Sequence, residues 1–264
     1  MNLEIIPLTS KTASQLNRVL QEDTPIPTRL WAILDGTIQA RIFVDEPNNP
    51  KFMMVQDLVA GPTYIGFIDQ PPDLHEAFSK LRSCQELMVC LWSDSPIIPI
   101  LPTGADYEGM AIDFWDRSPS VDLDHLAVIP PEYHMQKMDE ELAQRIEGFD
   151  YYIRMFGSLE RAIKNMIGYC LMHGETIVCE VVAAPLTRGV AEMSVDTHAA
   201  YRQKGLGTIA SAFVIRECET IGYRPFWGTS QKNAASIALA RRLGFQTERP
   251  FTVLAWSKTN HSAA

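Results

Sequence analysis

A short basic stretch lies where two periodicities meet. Up to Thr197 the chain alternates in strand fashion, as "VAEMSVDT"; from Thr208 on it carries Ile209, Ala210, Phe213, Val214 and Cys218 at helical spacing, with Gly222 placed to close the helix. Between them stands Arg202-Gln203-Lys204-Gly205-Leu206-Gly207-Thr208. A strand that passes through a glycine turn into a helix leaves the first helical N–H groups unpaired and aimed outward, with the positive end of the helix dipole behind them. Gly205 and Gly207 let a pyrophosphate approach that backbone with no Cβ in the way, while Arg202 and Lys204 add charge and hydrogen bonds. The stretch thus predicts a strand, a phosphate-holding turn and a long helix in immediate succession.

Three phosphate-binding architectures contain such a turn. A P-loop needs GxxxxGK[ST], and the chain has no such run. A dinucleotide fingerprint is matched in form by Gly205, Gly207 and Ala210, but its acidic partner belongs about 20 residues further on, at the end of a second strand. Pro225, Phe226 and Trp227 stand there instead, and the strands before the turn read as an antiparallel meander.

That meander begins with "GYCLMHG" and "TIVCEVVAA", a hairpin split by His173-Gly174-Glu175, and "VAEMSVDT" is its third strand. After the helix come "RPFWG", a short strand, and "NAASIALARRLGF", a helix with Asn233 as N-cap, Arg241 and Arg242 in the last turn and Gly244 just past the end; "TVLAW" is the closing strand. Further upstream, "SLERAIKNMI" reads as a helix capped by Ser158. In "EYHMQKMDEELAQRIEGFD", Met135, Met138, Leu142 and Ile146 fit a helical stripe, although the first half reads equally as a strand. The expected organisation is an α+β domain over residues 1–118, a Pro-, Ser- and Asp-rich linker over 119–131, and a second α+β domain over 132–264. The first domain reads as short strands ("RLWAILDG", "ARIFVDE", "PTYIGFI", "ELMVCLW", "GMAIDFW") interrupted by one helix, "PDLHEAFSKLRS"; it has no glycine-rich phosphate loop. No internal repeat is evident.

Composition narrows the partners. A formal net charge of −9 without long Lys/Arg runs argues against nucleic acid or an anionic membrane, so any anion site is local. No apolar window has membrane-spanning length, and the opening Met1-Asn2-Leu3-Glu4 lacks a signal-peptide pattern, which predicts a cytoplasmic protein. The five cysteines, Cys84, Cys90, Cys170, Cys179 and Cys218, have no zinc-type spacing and read as buried thiols; no metal is expected.

The sequence Arg202-x-x-Gly205-x-Gly207, preceded by a strand and followed at the right distance by N-x-x-S-x-x-L-A-x-x-L-G-F from Asn233, resembles the GNAT superfamily of acyl-CoA-dependent N-acetyltransferases over roughly residues 130–260. Within it, "EMSVDTHAAYRQKGLGT" and "PFWGTSQKNAASIALARRLGF" are similar to the zwittermicin-resistance branch, which carries an additional N-terminal domain. The resemblance implies a mixed, mostly antiparallel, splayed sheet flanked by helices, with acetyl-CoA as cosubstrate. Its pyrophosphate would sit on the backbone of residues 203–208, and its pantetheine would run beside Val195 and Thr197. Asn233 would contact the cofactor near its sulfur, with Ser236 beside it. The acceptor is then a small-molecule amine, detoxification of an amine antibiotic being what the branch suggests, and a homodimer is compatible with the chain.

The chemistry implied is direct attack of a neutral amine on the thioester carbonyl, which needs a base and an oxyanion donor. Strand alternation puts Glu192, Ser194 and Asp196 on one face and Met193, Val195 and Thr197 on the other. Glu192 is the preferred base or amine-anchoring carboxylate and His198 the next proton acceptor, while His173 reads as structural. One departure stands out: many family members carry a tyrosine seven residues after the asparagine, as acid for the departing thiolate, where this chain has Ala240. Ser236, Tyr201 or water would have to replace it. The competing expectation is a CoA-binding module that has lost catalysis.

Overall fold

The structure, a computed structural model, describes residues 3–258 except 21–22, 60, 70–72 and 83–85. Met1, Asn2 and Cys84 therefore lie outside the described residues. Two compact units divide the chain: residues 1–111 with 250–264, and residues 112–249.

The first unit runs β1 (Glu4–Ile6), α1 (Ser10–Val19), α2 (Pro27–Leu34), β2 (Ala40–Val44), β3 (Phe52–Asp57), β4 (Thr63–Phe67), α3 (Leu74–Arg82), β5 (Leu87–Trp92) and β6 (Tyr107–Phe114), the last of which ends in the second unit. Strands β1 to β4 form an antiparallel sheet in sequence order. The stretch "RLWAILDG" is helical, not a strand. Its apolar run is of a length at which strand and helix look alike, and Pro27 at the first turn together with Gly36 at φ 72° beyond the end punctuates a helix that buries Leu30, Ala32 and Ile33. Helix α1, capped by Thr9, and the wholly buried strand β3 complete the unit; neither is foreseen in the sequence.

The second unit contains α4 (Leu123–Leu126), β7 (His134–Lys137), α5 (Glu140–Gln144), α6 (Asp150–Phe156), α7 (Leu159–Lys164), β8 (Ile167–His173), β9 (Thr176–Thr187), β10 (Val190–Thr197), α8 (Leu206–Thr220), β11 (Arg224–Ser230) and α9 (Ala234–Arg242), and β12 (Glu248–Trp256) starts there. The expected linker is structured: Asp122 caps α4 by accepting the His125 N–H at 3.0 Å, and Leu123 and Ala127 enter the core. The methionine stripe splits, with Met135 on β7 and Leu142 on α5, because Asp139 caps a new helix between them. Ser158 caps α7 as expected.

Strands stand in the order β7-β8-β9-β10-β11, antiparallel except for β10 and β11, which pair in parallel. That pairing runs only from Val190–Arg224 to Glu192–Phe226, after which the two strands part. One face of the sheet, with Leu171, Cys179, Val181, Ala183 and Met193, packs in a core with Ala210, Val214 and Cys218 of α8. Strand alternation gives the other face Cys170, Glu180, Val182, Ser194 and Asp196.

Both units share the order β-α-α-β-β-β-α-β, the second with α6 and α7 where the first has α2. The repeat lies in topology and not in residue identity. Between β4 and α3 the chain reads Ile68-Asp69-Gln70-Pro71-Pro72-Asp73, acidic and without glycine, where the second unit has its basic glycine turn.

Each unit also takes a strand end from the other half of the sequence. Strand β12 pairs with β5 from Phe251–Trp92 to Trp256–Leu87, and Ile112 and Phe114 at the end of β6 lie in the second unit's core. Trp256 is 1% exposed and meets Phe78 edge-on at 5.1 Å. Replacing this indole by Ala is expected to cost about 3–5 kcal/mol. In hydrogen exchange, protection should fall in α3 and β5 of the first unit, far away in sequence. Loss confined to residues 112–249 would contradict the exchange of strands.

Candidate functional site

The turn after β10 adopts the geometry that an anion site requires. Gln203 has φ 63° and Gly205 φ 79°, both left-handed, so the backbone reverses before Leu206 opens α8. The hydrogen bonds Thr208 N–H to Gly205 O, 3.0 Å, and Ile209 N–H to Gly205 O, 3.1 Å, close the first helical turn and leave the amides before them at the helix end. Beside the turn lies an open groove of about 670 Å³. Val195, Thr197, Arg202, Gln203, Gly205, Leu206, Gly207, Thr208, Asn233 and Ser236 all line it.

Of the residues expected to bind cofactor, Lys204 is absent from that lining; its Nζ stands 4.9 Å from the Tyr201 ring centroid instead. Arg202 is held against the strand end, donating Nε–H to Thr197 O at 2.8 Å with Nη2 3.6 Å from Asp196. Thr197 in turn donates its hydroxyl to Cys179 Sγ at 3.4 Å. The groove also takes in Arg242, read from sequence only as a helix-end charge.

Asn233 Oδ1 accepts the Ser236 N–H at 3.1 Å, the N-cap bond, which leaves the amide hydrogens for a ligand carbonyl. Trp227, the first β11 residue beyond the paired segment, donates Nε1–H to Ser236 Oγ at 3.0 Å. An indole N–H can only donate, so the hydroxyl accepts there and keeps its own proton for another partner. Ala240, by contrast, is fully buried in the core.

Glu192 is half-buried at the last paired position of β10 and β11 and lines neither this groove nor the cavity described next. His198 and His173 both flank Tyr201, with ring centroids at 5.8 and 5.9 Å; His173 Nδ1 is 3.2 Å from the Tyr201 hydroxyl. Tyr201 itself lines the groove.

A second cavity, about 520 Å³, lies on the other face of β10. Ile146, Glu147, Gly148, Phe149, Tyr151 and Tyr152 form one side; Glu180, Val182, Ser194 and Asp196 form the other. Asp196 lines both cavities. Glu180, directly across from Asp196 in the strand pairing, has its carboxyl pushed up to about 7, first by burial and then by the Asp196 charge. Sequence reading passed over Glu180, although a lone acid inside the apolar run "TIVCEVVAA" was a visible signal.

The buried thiols Cys170, Cys179 and Cys218 are pushed up to about 12, chiefly by desolvation, which removes them as nucleophiles at neutral pH. Among the described residues no group of three or more His, Cys, Asp or Glu is arranged to hold a metal, and no helix is long and apolar enough to cross a membrane.

The family model described as GNAT acetyltransferase matches residues 23–254, a span that runs through both units. The chain belongs to the GNAT acetyltransferase family. It is 26% identical over 257 residues to YdfB of Bacillus subtilis, named an uncharacterised N-acetyltransferase, covering 93% of this chain and 96% of that one. A GCN5-related N-acetyltransferase-like protein from Streptococcus suis has the same fold with a TM-score of 0.70 at 20% identity, covering 93% of this chain and 99% of that one. A GNAT-family acetyltransferase from Colwellia psychrerythraea superposes with a TM-score of 0.62 at 13% identity, covering 98% of this chain and 100% of that one. The chain is thus an acetyltransferase of GNAT type, and the mixed α+β fold implied by its motifs is the one it has.

A Cβ built on Gly207 would stand 3.3 Å from Thr197 Oγ1, a close but accommodating contact, while Gly205 is strained for any side chain by its φ of 79°. Gly207→Val is therefore the cleaner probe of the turn. The close contact with Thr197 should cost about 1 kcal/mol of stability, yet CoA binding should weaken roughly tenfold or more, because the added methyls occupy the phosphate approach. Unchanged affinity by calorimetry on the folded variant would take the turn out of the site.

Proposed function

We propose that the protein transfers the acetyl group of acetyl-CoA to a primary amine of a small molecule by direct attack on the thioester. One observation carries the reading: a single groove runs from the anion-ready turn at Gly205 to Ser236 beside Trp227, where β10 and β11 have parted. A pyrophosphate on residues 203–208 would leave the pantetheine to follow β10 past Val195 and Thr197, with Arg202 and Arg242 available to the phosphates. The thioester then reaches the parting of the strands, where backbone amides released from sheet pairing can hold the oxyanion.

Asn233 steadies the cofactor near its sulfur, and the Ser236 hydroxyl, oriented by Trp227, gives the departing sulfur the hydrogen bond that Ala240 cannot. Tyr201 is less suited, since its hydroxyl is engaged with His173. Lys204 contributes charge from outside the groove. Glu192, at the fork itself, serves as an anchor for the incoming ammonium. The similarity around Arg202 and Asn233 further supports the zwittermicin-resistance-like branch and a cytoplasmic enzyme acting on an amine antibiotic or a similar molecule. A CoA-binding module without catalysis is not favoured, the relatives being named acetyltransferases.

Release of free thiol from acetyl-CoA, dependent on an added amine, tests the reading directly. CoA but not NAD(P) should raise the melting temperature. Thiol release absent with every amine, despite CoA binding, would leave a binding module. Glu192→Gln is expected to raise the acceptor KM about tenfold, the size of one charged hydrogen bond, with kcat little changed and no rescue at alkaline pH. A fall in kcat of roughly 10²–10⁴ that shrinks as pH rises would instead make Glu192 the base.

A further inference from the structure

We infer that Arg242, in the last turn of α9, recognises the 3′-phosphate of CoA, so that the protein distinguishes CoA from its 3′-dephospho form. The inference rests on the acetyl-transfer reading and deepens it, by naming what the nucleotide end of the cofactor must carry.

The order of features along α9 gives the position. Asn233, its N-cap, and Ser236 line the cofactor groove, and Ser236 accepts from Trp227, the first β11 residue past the paired segment. Leu239 comes next: its Cδ2 lies 3.8 Å from where a Cβ on Gly207 would stand, so the second half of the helix passes the glycine turn. Arg242 follows at i+3 from Leu239, on the face it shares with Ala235 and Ala238, and also lines the groove. Along one helix the succession is therefore strand parting, phosphate turn, Arg242. A cofactor with its sulfur at the parting and its pyrophosphate on the turn has its nucleoside end on the Arg242 side, and the 3′-phosphate is the anion still to be matched there. Ala235 and Ala238 put only methyl groups on that face, which leaves the approach open.

The cations give the second argument. Two adjacent arginines end α9 and meet different fates. Arg241 is closed against Glu248, Nε–H to Oε1 at 2.7 Å and Nη2–H to Oε2 at 2.9 Å, the bidentate geometry that satisfies a guanidinium. Arg242 is exposed and has no hydrogen bond or ion pair among the described residues. The other basic groups at the site are engaged. Arg202 donates to Thr197 O and stands 3.6 Å from Asp196, and Lys204 lies over the Tyr201 ring, outside the groove. Arg242 is thus the guanidinium of the groove with its donors still free for a phosphate.

Helix polarity makes the same residue necessary. The pyrophosphate meets the amino end of α8, where unpaired N–H groups and the dipole both favour an anion. The carboxyl end of α9 is the reverse, with unpaired carbonyls that repel a phosphate unless a cation stands between. The two anionic parts of the cofactor therefore depend on different devices, backbone amides for the pyrophosphate and one side chain for the 3′-phosphate, a monoester carrying roughly −1.5 to −2 at neutral pH. Loss of Arg242 should be felt through that phosphate alone.

The test is calorimetry on the full chain with CoA and 3′-dephospho-CoA, which differ in that one group. The wild-type protein is expected to bind CoA about tenfold or more tightly than dephospho-CoA, the size of a charge-assisted bidentate pair. Arg242→Gln should bring CoA down to the affinity of dephospho-CoA and leave dephospho-CoA where it was. Arg241→Gln, which breaks the pair with Glu248, should keep the wild-type preference. Equal wild-type affinity for the two ligands would overturn the proposal without any variant and leave acetyl transfer standing. A preference that survives in folded Arg242→Gln would also overturn it, moving the contact to another cation such as Lys204. Equal weakening of both ligands by that variant would do the same, reducing Arg242 to a helix-end charge. Binding of neither ligand to the wild-type protein would remove the acetyl-transfer reading and this proposal together.

Discussion

Strands β10 and β11 are paired in parallel for three residues only, up to Glu192 and Phe226, and the site is organised by where that pairing stops. Inside a sheet each backbone N–H and C=O is committed to a neighbour. Beyond Glu192 the facing edges of the two strands are no longer paired with one another. The ending of the pairing is enforced from both sides. A bulge between Ala191 and Met193 changes the register of β10 against β9 just before the parting. On the other strand, buried Trp227 turns into the core against Phe245, at 5.9 Å, and fastens Ser236 at the start of α9. Helix α9 thus stands beside the opening and supplies Asn233 and Ser236 to it.

Because side chains alternate along a strand, β10 presents two different surfaces with one run of eight residues. The face toward α8 continues the core and ends in the basic glycine turn, which suits a polyanionic cofactor. The opposite face carries Ser194 and Asp196 and meets Glu180 of β9. A chain with a net charge of −9 thereby keeps its positive potential local, at Arg202, Arg242 and the end of α8, while the rear cavity stays negative. The two cavities on either side of β10 thus differ in the sign of the charges that line them.

The legible part of this arrangement was the part written in local rules. A glycine turn between β10 and α8, Asn233 and Ser158 as caps, and the alternation of "VAEMSVDT" are properties of a few consecutive residues, and each appears in the structure as the sequence implies. What escaped depends on partners far along the chain. An eight-residue apolar run around Leu30 and Ile33 could be strand or helix until its packing is known. The Glu180 carboxyl is notable only because Asp196, sixteen positions later, stands opposite it under a roof of tyrosines from α6. The stretch 119–131 has the composition of a linker, yet Leu123 and Ala127 bury against α8, so composition described its surface and not its inner side.

The repeated β-α-α-β-β-β-α-β order was illegible for the same reason, and it bears on why the first unit is present at all. The corresponding stretch of its sequence, Ile68 to Asp73, carries Asp69 and Asp73 and no glycine, unlike the basic glycine turn of the second unit. The first unit is therefore a counterpart without the cofactor turn. It is nonetheless joined to the second unit by its closing strands: β6 leaves it to place Ile112 and Phe114 in the second core, and β12 returns to place Phe251 and Trp256 in the first. A cut of the sequence at residue 118 would therefore remove Ile112 and Phe114 from the second unit's core and Phe251 and Trp256 from the first's, at a cost comparable to a sizeable fraction of a domain's net stability.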